Sequence, residues 1–187
     1  MAKASDMSTG NFIKYNGDLY VITELIHRTP GNLRAFYQAK MRNVRSGKIG
    51  ENRFRPDEEV EIVRVEEKEL QYLYKDGNAI VCMDIQSFEQ FYVDEKFFGD
   101  SAKFLKEGLM VTVSFDNNDA PVYAKPPKSV ELEVTYTEPG VKGDTATNTL
   151  KPATVETGAE IRVPLFINSG ERIKVNPETG EYMERVK

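Results

Sequence analysis

A period of two, interrupted every few residues by turn chemistry, constrains this chain more than any other feature. In "LYVITELIH" (19–27), Leu19, Val21, Thr23 and Leu25 alternate with Tyr20, Ile22, Glu24 and Ile26, which predicts a strand with two opposed faces. The preceding "YNGD" (15–18) carries the Asn-Gly pair of a two-residue hairpin, and "YKDGNA" (74–79), "DNNDAP" (116–121) and "NPETGEY" (176–182) punctuate later runs in the same way. From 34 to 42, Ala35, Tyr37, Ala39 and Met41 form an inward set, and Arg34, Phe36, Gln38, Lys40 and Arg42 form the opposite one. Only "SAKFLKEG" (101–108) reads as a helix, of two turns at most, with Gly108 as its stop. Many short strands at regular spacing predict an all-β chain of small barrels or sandwiches.

Two breaks divide the 187 residues. "PDEEVEIVRVEEKELQYLY" keeps the alternation while the charge turns acidic, placing one boundary near residue 64. "AKPPKSVELEV" (124–134) contains two consecutive prolines that cannot donate ladder hydrogen bonds, placing another near 127. The expected domains are 1–64, 65–127 and 128–187, each small enough that packing between neighbours matters.

Charge is informative once divided along the chain. The formal total is −5, yet residues 1–55 carry +6, residues 56–125 carry −9 and residues 126–187 carry −2. Phosphate contacts need Lys or Arg, so the total argues against indiscriminate coating of nucleic acid, while the basic N-terminal part leaves room for an RNA partner. No run approaches 18 apolar residues and "MAKASDMSTGNF" lacks the apolar core of a signal peptide, so a cytoplasmic protein without a membrane span is expected.

The residues of familiar catalytic sites are missing. There is no phosphate loop, and "GVKGDTAT" has neither the spacing nor the context of a nucleotide cradle. His27 is the only histidine and Cys82, in "AIVCMDI", the only cysteine, so metal sites and Cys-His couples lack their ligands and no internal disulfide forms. Glu58-Glu59 and Glu66-Glu67 read as a solvated linker face with no substrate pocket nearby. We expect no catalysis, metal or cofactor.

Three blocks carry a resemblance. "HRTPGNLRAFYQAKMRNVRSGK" (27–48), "YLYKDGNAIVCMDIQSFEQFYV" (72–93) and "EPGVKGDTATNTLKPATVETGAEIRVPLFINSGERIKVNPETGEYMERV" (138–186) make the chain similar to bacterial elongation factor P along essentially its whole length. The resemblance implies an SH3-like N-terminal barrel followed by two OB-fold barrels in an L-shaped, tRNA-like arrangement. It also implies a monomeric, non-enzymatic factor that binds both ribosomal subunits beside peptidyl-tRNA and relieves stalling at consecutive prolines by positioning the CCA end. Partners would be the ribosome, peptidyl-tRNA and the exit-site codon of the mRNA.

By this resemblance the tip loop facing the CCA end is Pro30, Gly31, Asn32, Leu33 and Arg34. The family's "PGKG" lysine, often extended by covalent modification, corresponds to Asn32, so an unmodified tip is expected. Lys40, Arg42, Tyr182 and Arg185 would meet tRNA or rRNA phosphates, and Gly143, Asp144 and Thr145 of "GDTAT" would meet the exit-site codon. The competing reading is a general OB-fold protein for single-stranded RNA, binding through aromatic platforms and a basic groove. The −9 of residues 56–125 disfavours it.

Overall fold

The computed structural model describes residues 1–31, 33–140 and 149–187. Among them it is built almost wholly of antiparallel strands in three sheets. The first contains β1 (Ala2–Lys3), β2 (Phe12–Tyr15), β3 (Asp18–Arg28), β4 (Phe36–Asn43), β5 (Ile49–Phe54) and β6 (Glu59–Val63), in the order β1-β6-β2-β3-β4-β5. The second contains β7 (Glu66–Asp76), β8 (Ala79–Met83), β9 (Gln90–Asp94), β10 (Met110–Phe115) and β11 (Pro121–Lys125), ordered β11-β10-β7-β8-β9. The third contains β12 (Val130–Thr137), β13 (Leu150–Val155), β14 (Glu160–Pro164), β15 (Arg172–Asn176) and β16 (Glu181–Arg185), ordered β14-β13-β12-β15-β16. No helix among the described residues is long and apolar enough to cross a membrane.

Contacts gather the chain into two compact units, Met1–Lys68 with Val113–Ala124, and Glu69–Thr112 with Lys125–Lys187. In the first, Ile13, Ile22, Ala39, Met41, Phe54 and Val60 form a buried cluster against which Tyr20, Leu25 and Tyr37 pack. In the second, Val130, Leu132, Val134, Val155, Val163, Ile167, Ile173 and Val175 surround Phe104. Burial of such side chains, at roughly 1.5–3 kcal/mol each, is what holds strands this short together.

Two local expectations need correction. The alternation read through residues 19–27 puts Leu25 on the face opposite Ile22, yet both enter one core. The cause is a bulge: Ile22 pairs with Met41 but Glu24 pairs with Lys40, so Thr23 is the extra residue and inverts the parity beyond it. Its Oγ1 donates to the Lys40 carbonyl at 3.1 Å. The expected helix at 101–108 is instead a 3₁₀ segment over Glu95–Phe104, interrupted at Gly99, whose φ of 57° breaks it into two short turns. Phe98, Ser101 and Phe104 are its buried residues; Ser101 and Phe104 share the eclipsed face of the second turn, and Phe98 belongs to the first.

Candidate nucleic-acid interface

The longest hairpin in the first unit joins β3 to β4. His27 pairs with Tyr37, and Arg28, where β3 ends, pairs with Phe36, where β4 begins. The turn is closed by the Leu33 amide, which donates to the Pro30 carbonyl at 3.0 Å. Pro30 is half-buried, Gly31 and Arg34 are exposed, and Leu33 is 75 % exposed. Asn32 lies outside the described residues. Arg34 belongs to this loop and not to the strand, because β4 begins at Phe36.

Each face of the hairpin carries an aromatic ring beside the loop. On one, His27 stacks on Tyr37 with centroids 4.6 Å apart and planes 22° apart. Tyr37 pairs in turn with buried Phe54, which ties the stack to the core. On the other face, the Arg53 guanidinium stands 5.0 Å over the Phe36 ring, a cation-π contact that occupies it. Gln38 donates to Glu51 at 2.9 Å in the adjoining row.

The basic residues read from the sequence differ in availability. Lys40 is exposed, flanked in register by Glu24 and Glu51. Arg42 is half-buried and donates through Nη1 to the Tyr123 hydroxyl at 3.2 Å, so an internal partner already holds part of its guanidinium. Of the expected inward set, Tyr37, Ala39 and Met41 lie on the core side, whereas Ala35 precedes β4.

In the second unit, Tyr182 pairs with Val175 and packs half-buried against the core, and burial pushes its phenol above the ordinary tyrosine value. It lines an open cleft with Lys103, Phe104, Arg162 and Glu181. Arg185 donates to Glu171 at 3.3 Å and stands 5.9 Å from the centre of the Phe166 ring. Gly143, Asp144 and Thr145 lie outside the described residues. Cys82 is fully buried, and burial pushes its thiol up to about 12, so it is protonated at neutral pH. Among the described residues, no group of three or more His, Cys, Asp or Glu is placed to hold a metal ion.

Sequence reasoning missed His27, Tyr37 and Tyr123 as members of this region. The first two were within reach: counting outward from a hairpin centred on Asn32 puts residue 27 opposite residue 37. Tyr123 is 81 residues from Arg42, and no local pattern announces that contact.

The chain matches three family descriptions in order. These are the elongation factor P KOW-like domain over residues 3–60, its OB domain over 65–124 and its C-terminal domain over 130–185. Elongation factor P of Chloroherpeton thalassium is 48 % identical over 187 residues, spanning all of both chains. The same protein is 46 % identical in a Roseiflexus species and 45 % in Caldicellulosiruptor saccharolyticus, again over the full length of both. Among solved structures, translation initiation factor 5A from Methanococcus jannaschii aligns with a TM-score of 0.49 at 16 % identity, covering 62 % of this chain and 85 % of that one.

Proposed function

We propose a function from an established premise: this chain belongs to the elongation factor P family of translation elongation factors. It acts on the ribosome beside peptidyl-tRNA, where the β3–β4 loop approaches the CCA end and accelerates bond formation between consecutive prolines. Proline is a cyclic secondary amine with fixed φ, and two prolyl groups meet in a poor geometry for attack. Holding the donor end still restores alignment, an effect worth several kcal/mol of barrier in favourable cases.

The observation that carries this reading is the hairpin itself, a core-anchored β-ribbon ending in the exposed Gly31, Leu33 and Arg34. Pro30 restricts the loop, which lowers the entropy lost on docking. Arg34 and Lys40 supply charge toward phosphates, with Arg42, Tyr182 and Arg185 as further contacts and Gly143–Thr145 toward the exit-site codon. The factor contributes no catalytic residue; the bond is made by the ribosome. Its tip is unmodified, since Asn32 lacks the amine that lysine-directed modification needs, and an intact mass of native protein equal to that of the bare chain is expected.

Reconstituted translation of a message with a proline run, with and without the purified factor, tests the reading. Rescue confined to the proline run is expected. Equal output with and without the factor would overturn it, and stimulation of every message alike would favour a general RNA-binding protein.

A further inference from the structure

We infer that His27, stacked on Tyr37 beside the tip loop, is the docking plate for an unpaired nucleobase of the tRNA 3′ end. The inference rests on the reading above that this hairpin faces peptidyl-tRNA, and goes beyond it by assigning a residue and a contact type that the tip loop does not supply.

The geometry comes first. Tyr37 pairs with Phe54, which is 1 % exposed, and packs on the first unit's core, so its ring is fixed before any ligand arrives. His27 lies on that ring nearly in parallel, at 4.6 Å, and is itself exposed. One side of the imidazole is thus committed to Tyr37 while the residue remains open to solvent. A flat ring held in place at the water boundary binds a base without first losing side-chain freedom, and stacking tolerates any base because each has a π face.

Location selects this ring over others. At about 3.3 Å per residue, His27 lies roughly 10 Å along the strand from Pro30, within one or two nucleotides of whatever the tip touches. Between Glu24 and Glu51 the sequence contains no carboxylate and six cations, Arg28, Arg34, Lys40, Arg42, Arg45 and Lys48. Of these, Arg28 pairs with Phe36, and Lys40 and Arg42 alternate with Tyr37, so they lie on the face opposite the stack and charge does not choose between the two rings. The other ring at this level, Phe36, is half-buried and carries the Arg53 guanidinium at 5.0 Å, whereas His27 is exposed.

The test uses the full chain on ribosomes carrying peptidyl-tRNA in which each of the three 3′-terminal bases is replaced in turn by a fluorescent analogue, 2-aminopurine for adenine and pyrrolocytosine for cytosine. Stacking quenches these probes. The parent and His27→Phe should quench one of the three, and His27→Ala and His27→Leu should not, while half-saturation of ribosome binding by filter retention moves about ten-fold upward for those two. Quenching at none of the three positions overturns the inference. So does full quenching with His27→Leu, which packs on Tyr37 but has no π face. Proline-run synthesis measured on the same ribosomes separates the two ideas: rescue without quenching refutes the nucleobase plate alone, and quenching without rescue refutes the proline reading while the plate stands.

Discussion

Arg42 reaches the hydroxyl of Tyr123 at 3.2 Å, joining β4 to the segment Val113–Ala124 that belongs to the same compact unit. The Tyr123 ring also meets the Phe12 ring edge-on, at 5.8 Å and 64°. The strand that leaves the tip loop is therefore tied down at its far end by a charged hydrogen bond over an aromatic contact. Tyr123→Phe keeps the ring and removes the bond to Arg42, so a loss of about 1 kcal/mol is expected. A double-mutant cycle with Arg42→Ala in chemical denaturation should return a coupling of similar size, and strictly additive losses would show that the contact does not form in solution.

Phe88 sits in the left-handed region, with φ of 60°, and is 70 % exposed. The loop around it is firmly built, since the Phe88 amide donates to the Asp84 carbonyl at 2.8 Å and the Asp84 carboxylate accepts from the Gln86 amide at 2.8 Å. A bulky residue in that conformation costs about 1–2 kcal/mol, a penalty that asparagine largely avoids. Phe88→Asn should raise the urea midpoint at unchanged slope, by the equivalent of about 1 kcal/mol. A lower midpoint would mean that the ring makes contacts outweighing the strain.

What the sequence made legible follows from how far each signal reaches. Alternation and turn residues are local, and they located β3, β4 and the hairpin of the site, including the inward set Tyr37, Ala39 and Met41. The bulge at Thr23 escaped because the pattern on both sides of it alternates correctly, and only the partner strand reveals the slip from Ile22↔Met41 to Glu24↔Lys40. Parity alone carries the strand back to Arg34, whereas the resemblance assigns that residue to the tip loop; β4 begins only at Phe36. The pattern at 101–108 predicts a helix because no local signal shows that Gly99 takes a positive φ and splits the run into two short 3₁₀ turns. The hold of Tyr123 on Arg42 depends on tertiary packing alone.

Glu156 offers a prediction with a definite sign. Burial works to raise its carboxyl, but the 2.8 Å hydrogen bond from Lys106, the Glu133 amide and the charges of Lys106 and Arg172 outweigh it and hold the group below the usual glutamate value. A carboxyl depressed in the folded state stabilises above its unfolded value and loses that contribution as pH falls through the folded one. The stability advantage of the parent over Glu156→Gln should therefore be full near neutrality and shrink below about pH 4.3. Thermal melts at a series of pH values test this, and a difference that grows on acidification would contradict it.

Salt dependence should rank the basic residues of the hairpin by how free they are. Each phosphate contact made by a lysine or arginine releases counterions and adds roughly 0.7–0.9 to the slope of log affinity against log salt. Arg34 and Lys40 are exposed, so Arg34→Ala and Lys40→Ala should each lower the slope of ribosome binding by nearly that amount. Arg42 shares its guanidinium with Tyr123 and is half-buried, so Arg42→Ala should lower affinity mainly through the stability of the hairpin and change the slope less. Filter binding of the factor to ribosome complexes across a range of potassium concentrations gives all three slopes. A slope change at Arg42 equal to that at Lys40 would mean that the Tyr123 bond is exchanged for a phosphate when the factor docks.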